Sequence, residues 1–124
     1  MFSIDLQSRR PVYEQIVAQV EEYILRGILK PGEQMPSVRG LSISLSANPN
    51  TIQKAYSELD NSGLIYSVPG KGCFVSEDAK EKVCRARQGR LDELRELIRE
   101  LKLAETAKEE IQKVVNEVYG GEEK

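Results

Sequence analysis

The side chains best suited to recognition chemistry lie in the run Asn48-Pro49-Asn50-Thr51. An asparagine amide can form two hydrogen bonds with adenine, and threonine offers thymine both a hydroxyl and a methyl group. At the start of a helix, such residues reach base edges in the major groove, and the free N–H groups there favour phosphate. The competing interpretation is ordinary capping, since Asn48 suits an N-cap and Pro49 the first helical turn. The helix before the run and the hairpin after it favour DNA contact.

Three more polar side chains accompany this run. Arg39 comes early in the preceding helix, one position past Val38, and is expected at the rim of the same surface. The alternative for Arg39 is a surface salt bridge, which contributes little stability. Gln53 and Lys54 lie further along the helix that Asn48 opens. Lys54 suits a phosphate better than a base, and a solvated lysine is an equally good interpretation.

The run Gly70-Lys71-Gly72 lies between two β-rich stretches and predicts a hairpin turn. Its glycines would let the backbone approach DNA closely, and Lys71 would supply a positive charge. A plain hairpin turn needs the glycines equally, because they adopt positive φ without strain. Only Lys71 therefore separates the two interpretations.

A basic cluster and two cysteines allow more than one interpretation. The cluster would reach flanking phosphates, although a solvated helix face is favoured. Its members are Lys80, Lys82, Arg85, Arg87 and Arg90. Cys73 and Cys84 are too few to make a disulfide framework. Buried or unreactive thiols are favoured over a redox-active pair.

The composition argues against several classes of protein. The 124 residues include no histidine, which removes the commonest general base and the commonest metal ligand. No apolar run approaches the roughly 18 residues that a membrane span needs, and the N-terminus lacks the pattern of a secretory signal. We therefore expect a cytoplasmic protein with no catalytic site, no metal, no cofactor and no membrane partner.

The net charge of −2 is distributed unevenly along the chain. Residues 1–76 carry seven basic and seven acidic side chains, whereas residues 77–124 carry eleven basic and thirteen acidic ones. A nucleic-acid surface depends on a local basic face rather than on the total. The charge count neither supports nor excludes DNA binding.

The elements that would position these groups follow from apolar spacing. Pro11 opens a first helix, and its apolar face ends near Gly27. Ser37 caps a short second helix, a break follows at Ser46-Ala47, and Asn48 opens the third. Residues 64–68 and 73–75 then form a hairpin. The pattern predicts an α+β fold, mainly α with a small β-hairpin wing: a winged helix-turn-helix.

The last third of the chain is highly charged and helical. Two apolar registers predict two helices with a bend near Leu103–Thr106, and Gly120-Gly121 is expected to end the second. Apolar faces appended to a finished small domain need a partner, and dimerisation is the economical answer. The residues expected at this interface are Leu91, Leu94, Ile98, Leu101, Ile111, Val114 and Val118.

Several of these runs together resemble the GntR family of transcriptional regulators. They read GILKPGEQMPSVR at 27–39, NPNTIQKAYSEL at 48–59, GLI at 63–65 and GKGCFV at 70–75. The resemblance covers about residues 9–76. The short tail is similar to that of the YtrA subgroup, in which the tail dimerises the protein and the targets are commonly transporter operons.

The resemblance implies a repressor that binds a palindromic operator in double-stranded DNA as a homodimer. The DNA contacts that the resemblance and the residues assign are Ser37, Arg39, Asn48, Asn50, Thr51, Gln53, Lys54, Gly70 and Lys71. Two departures from the family pattern stand out. Pro49-Asn50 replaces an early arginine of many relatives, and Gly40 is expected to weaken the second helix by ~1 kcal/mol.

The expected organisation is a DNA-binding domain over residues 9–76, a two-helix dimerisation tail over residues 77–119 and a frayed end over residues 120–124. A winged-helix protein–protein adaptor is the alternative function. The basic residues Arg39, Lys54 and Lys71 on the predicted surface favour DNA. The sequence identifies no small-molecule effector.

Overall fold

A computed structural model describes residues 2–122 of the chain. It contains six helices and one hairpin within that range, and the chain divides into two compact units between Ala86 and Arg87. The elements are α1 (Val12–Leu25), α2 (Val38–Leu45), α3 (Pro49–Asn61), β1 (Ile65–Val68), β2 (Gly72–Val75), α4 (Ala79–Gln88), α5 (Leu91–Leu103) and α6 (Lys108–Glu122). The predicted winged helix-turn-helix followed by helices is confirmed.

One face of helix α1 packs into the core of the first unit. Its residues Ile16, Val20 and Ile24 recur at steps of four and are fully buried, since residues four apart share one helix face. Pro11 precedes the helix, and Gly27 beyond its end has a φ of +75°. A glycine there ends the helix without the strain that a side chain would cause.

The break between α2 and α3 is held by side-chain caps. The Ser37 Oγ accepts a hydrogen bond from the Gly40 N–H at 2.9 Å, and the Asn48 Oδ1 accepts one from the Asn50 N–H at 2.8 Å. Ser46 ends α2 in the left-handed conformation, with a φ of +52°. The predicted caps and the predicted break are therefore confirmed. Helix α3, which follows the break, packs against α1.

Strands β1 and β2 pair antiparallel and form the wing. Ile65 faces Val75 and Val68 faces Gly72 in the register. One face of the hairpin is anchored, because Ile65 and Val75 are buried against the helices. The core of this unit also contains Leu29, Met35, Leu41, Ile52, Ala55, Tyr56, Leu59 and Leu64.

Helix α4 also packs on this core. Ala79 and Val83, four residues apart, are each 1% exposed. The compact unit therefore extends to Ala86, ten residues past the boundary at 76 expected from the sequence. Two apolar residues in a run of charges give too weak a pattern to separate this helix from the tail.

The second unit is a pair of helices. Glu105, with a φ of +65°, lies between α5 and α6, so the predicted bend near Leu103–Thr106 is confirmed. Helix α6 continues to Glu122 instead of ending at Gly120-Gly121, which corrects that expectation. Residues 123 and 124 of the predicted frayed end lie outside the described range.

Candidate nucleic-acid interface

The outer face of α3 is polar and exposed. Its inner face, by contrast, is closed: Ile52, Ala55 and Leu59 have no exposed surface. On the outside, Asn50, Gln53 and Lys54 are exposed, while Thr51 is half-buried. A helix fixed in this way along one side presents its first two turns as a rigid, polar surface.

Asn48 combines two roles in its geometry. Its side-chain oxygen accepts the Asn50 N–H and is therefore engaged in capping. Its amide N–H groups make no hydrogen bond within residues 2–122, and the residue is exposed. The capping interpretation is thus correct for the oxygen, and the amide group stays available to a partner.

Two polar groups on α3 contact neighbours inside the unit. The Gln53 Nε2 donates to the Ser57 Oγ at 3.3 Å, one turn further along the helix. The Lys54 ammonium lies 3.9 Å from the centre of the Tyr13 ring on α1. No spacing in the sequence marks Tyr13 as a partner of Lys54, so this cation–π contact was not predicted.

The first turn of α2 carries Arg39, and Ser37 caps it. Arg39 is exposed, and within the described residues its guanidinium forms no ion pair. The described part of the chain therefore gives no support to the interpretation of Arg39 as a salt-bridge residue. The Ser37 hydroxyl oxygen caps α2, and its O–H has no acceptor among residues 2–122.

The wing turn is exposed and built on glycine. Gly70 and Gly72 have φ values of +77° and +119°, which side-chain-bearing residues rarely adopt. The Lys71 N–H donates to the Val68 carbonyl at 2.9 Å, and the Lys71 side chain is exposed. The Gln34 Nε2 also donates to the Lys71 carbonyl, at 2.8 Å. The sequence analysis missed Gln34, because 37 residues separate the two partners.

A cleft of about 500 Å³ lies between the wing and the start of α2. Ser37, Gly70 and Lys71, all singled out from the sequence, line it together. The structure thus gathers two predicted wing residues and one predicted α2 residue around one opening. Arg39 and the α3 residues Asn48, Asn50, Thr51, Gln53 and Lys54 are not part of its lining.

Tyr56 of α3 also lines this cleft, with its hydroxyl directed at the chain before α2. It donates to the Pro36 carbonyl at 2.6 Å. Burial, and secondarily the nearby Cys73, raises the pKa of the Tyr56 hydroxyl well above its ordinary value. The hydroxyl therefore keeps its proton, and with it the ability to donate this hydrogen bond, further into alkaline pH than an exposed tyrosine does.

The basic cluster on α4 and at the start of α5 is largely engaged in local pairs. Arg85 pairs with Glu81, the Lys82 ammonium lies 3.4 Å from Asp78, and Arg90 lies 3.0 Å from Glu93. Lys82 also donates to the Gly63 carbonyl at 3.3 Å, beyond the end of α3. These contacts support the interpretation as a solvated helix face. Cys73 and Cys84 are free thiols, each half-buried.

The second unit exposes an apolar face of its own. Five predicted interface residues are exposed: Leu91, Leu94, Leu101, Val114 and Val118. Ile98 and Ile111 are half-buried and line a groove of about 540 Å³ within this unit. Leu97, Val115 and Tyr119 are exposed as well and were not singled out from the sequence.

Residues 2–122 hold no group of three or more cysteine, aspartate or glutamate side chains arranged to bind a metal ion. None of the helices described is both long and apolar enough to cross a membrane.

The sequence is similar to known transcriptional regulators. Residues 12–75 match the model of the bacterial regulatory proteins of the gntR family. The chain is 43% identical over 101 residues to the HTH-type transcriptional repressor YtrA of Bacillus subtilis, covering 82% of this chain and 75% of that protein.

Solved structures share the fold. A transcriptional regulator from Oenococcus oeni is 32% identical and has a TM-score of 0.74, covering 94% of this chain and 97% of that one. The DNA-binding domain of AraR, in complex with operator ORX1, is 29% identical with a TM-score of 0.55. That comparison covers 61% of this chain and 96% of that domain.

Proposed function

The chain belongs to the GntR family of bacterial regulatory proteins, and on this premise we propose that it represses transcription by binding a palindromic operator as a homodimer. The 43% identity to YtrA supports the YtrA subgroup. The family and these relatives are transcriptional regulators, not enzymes.

One observation carries the proposal: α3 is locked into the core along one side and exposes a polar surface on the other. Asn50 and Gln53 lie on that exposed surface, where their amides are suited to base edges in the major groove. Lys54 adds positive charge for phosphates, and Arg39 is suited to a phosphate or to an adjacent base edge. The likeness to an operator-bound AraR domain supports the same use of the fold.

The wing completes the proposed DNA surface. Lys71 and Gly70 would contact the groove or backbone beside the one that α3 enters, with Ser37 and the remaining assigned residues at its edge. The assigned contacts are Ser37, Arg39, Asn48, Asn50, Thr51, Gln53, Lys54, Gly70 and Lys71.

Dimerisation is proposed through the second unit. Leu91, Leu94 and Leu101 on α5, together with Val114 and Val118 on α6, expose apolar surface that a second copy would bury. A two-fold axis would place two α3 helices about one DNA turn, or a few turns, apart. The operator would then be an inverted repeat.

The proposed setting is the cytoplasm, and the proposed targets are genes for membrane transporters. Deleting the gene and measuring transcripts tests the second point. Transporter transcripts that rise support repression, and transcripts that fall indicate activation.

A salt titration of DNA binding tests the central proposal. The probes are the DNA upstream of the protein's own gene and a scrambled duplex of equal length. We expect a preference of about a thousandfold or more for the first probe and a footprint on an inverted repeat. Arg39→Ala should reduce that preference, whereas Arg26→Ala, at an exposed position at the end of α1, should leave it unchanged.

The other outcomes also decide between functions. Equal binding to both probes, with a steep salt dependence, would indicate contacts to phosphate alone. Selection from a random DNA pool then shows whether an operator lies elsewhere. Binding to neither probe and to no selected sequence would favour the protein–protein adaptor.

A further inference from the structure

The segment Gly32–Pro36 lies along the outer edge of β2 and is bonded to it like a short third strand. The Gly32 N–H donates to the Val75 carbonyl at 2.8 Å, and the Val75 N–H donates to the Glu33 carbonyl at 2.9 Å. The Met35 N–H donates to the Cys73 carbonyl at 2.8 Å. A hairpin of two four-residue strands is marginal by itself, so this edge contributes to its stability.

The other end of the segment is bonded to helix α3. The Tyr56 hydroxyl on α3 donates to the Pro36 carbonyl at 2.6 Å. Tyr56 is 3% exposed, so the bond is shielded from competing water. Segment 32–36 therefore links α3 directly to the wing and fixes the spacing between them.

Gln34 carries this link to the tip of the wing. Its Nε2 donates to the Lys71 carbonyl at 2.8 Å, in the middle of the turn. A Cβ atom on Gly72 would lie 2.9 Å from that nitrogen, so the amide occupies the space that a side chain would fill. The turn has a glycine on each side of Lys71, and both have positive φ. Without a tether, such a turn samples many conformations.

We propose that Gln34 is a positioning residue for DNA binding: its hydrogen bond to the Lys71 carbonyl holds the wing turn so that the Lys71 ammonium faces the nucleic acid. This inference rests on the proposed DNA-binding function. Gln34 itself need not touch DNA. By holding the wing turn in one conformation before DNA binds, Gln34 lowers the conformational entropy that is lost on binding, and this preorganisation strengthens the affinity.

Gln34→Met tests the role, because methionine has a similar length and no hydrogen-bond donor. Gln34 is exposed, so the variant is expected to fold. Gln7→Met is the matched control, since Gln7 is exposed and within the described residues its side chain makes no hydrogen bond. We expect Gln34→Met to raise the Kd for DNA about threefold to tenfold per wing, the range of one net hydrogen bond.

A double-mutant cycle with Lys71→Ala separates positioning from general loss of stability. If Gln34 acts through Lys71, Gln34→Met should cost almost nothing in the Lys71→Ala background. An equal loss in both backgrounds would overturn the proposal. So would a Lys71→Ala variant that binds like the unmodified protein, because the wing charge would then not be a contact.

Hydrogen exchange of the Lys71 amide gives a readout without DNA. This N–H is bonded to the Val68 carbonyl within the turn, and we expect it to exchange about threefold to tenfold faster in Gln34→Met. Unchanged exchange would overturn the proposal. If the unmodified protein binds no DNA at all, the proposed function fails, while the exchange rate still decides whether Gln34 holds the turn.

Discussion

The ammonium of Lys54 on α3 lies 3.9 Å from the centre of the Tyr13 ring on α1. This contact joins the exposed side of α3 to the first turn of α1. Lys54 is still exposed, so its charge faces solvent as well as the ring. The residue therefore has a structural contact and, in the proposed function, a phosphate contact.

Lys54→Met should separate these two contributions. We expect the free energy of unfolding to fall by about 0.5–1 kcal/mol, since a cation–π pair at an exposed site is lost. We also expect the slope of log Kobs against log salt to become shallower by about one, the effect of one phosphate contact. Urea unfolding and a salt titration measure the two quantities.

Substitutions at Tyr13 provide the controls for Lys54→Met. Tyr13→Phe keeps the ring and loses only the 3.4 Å hydrogen bond from the Tyr13 hydroxyl to the Glu14 carboxylate, so it should lower stability less than Lys54→Met and leave the salt slope intact. Tyr13→Leu removes the ring, so it should lower stability and also leave the salt slope intact. A Lys54→Met variant with an unchanged slope would confine Lys54 to its contact with Tyr13.

Arg39 offers a cleaner test of specificity. Its guanidinium is exposed and forms no ion pair within the described residues, so removing it leaves no charge unpaired. Arg39→Ala should weaken operator binding by about 1–3 kcal/mol and change the unfolding free energy by less than about 0.5 kcal/mol. If the paired, exposed Arg26 gives the same loss of affinity on substitution with alanine, Arg39 acts only through net charge.

The elements that the sequence predicts correctly are those with local causes. For α3, the cap at Asn48, Pro49 in the first turn and the apolar stripe from Ile52 to Leu59 all fall within twelve consecutive residues. The hairpin is equally local, because its two strands are separated by a glycine-rich turn. Short-range chemistry of this kind can be identified without knowing the rest of the fold.

The features that the sequence does not reveal depend on distant partners. Gln34 reaches Lys71 across 37 residues, and Tyr56 reaches Pro36 across 20. No apolar period or turn signal marks either bond. Helix α4 was missed as an element of the first unit for a related reason: only Ala79 and Val83 mark its buried side.

The proposed dimer interface gives a prediction with an internal control. Leu94 lies on the apolar face of α5 and is 47% exposed, so Leu94→Glu should not disturb the fold of one chain. In a two-fold dimer the change occurs twice, removing apolar burial and placing carboxylates in an apolar interface. We expect the dimer Kd to rise at least about a hundredfold, measured by sedimentation equilibrium.

Leu103→Glu is the matched control for Leu94→Glu. Leu103 is 87% exposed and lies about 200° around the helix from Leu101, away from the apolar face. Its substitution should leave the dimer intact. Dissociation by both variants would indicate general disruption of α5, and dissociation by neither would place the dimer interface elsewhere.

The Tyr56 hydroxyl should make the stability of the protein depend on alkaline pH. Burial raises the pKa of this hydroxyl above the ordinary tyrosine value of about 10. Above pH 10 the unfolded chain therefore loses a proton that the folded protein keeps. The folded state binds more protons in this window, so stability falls as pH rises, by up to about 1.4 kcal/mol per pH unit from this group.

Tyr56→Phe should be less stable than the unmodified protein at pH 7 but less sensitive to alkaline pH. At pH 7 it loses the hydrogen bond to the Pro36 carbonyl, and we expect it to be less stable by about 0.5–1.5 kcal/mol. Phenylalanine does not titrate, so the stability of the variant should fall less steeply above pH 10, and the two curves should converge. Urea unfolding between pH 7 and 11 measures this difference, with Tyr119→Phe at an exposed position as the control for losing a tyrosine. Parallel curves throughout would mean that the Tyr56 hydroxyl titrates alike in the folded and unfolded chains, and that burial does not hold its proton.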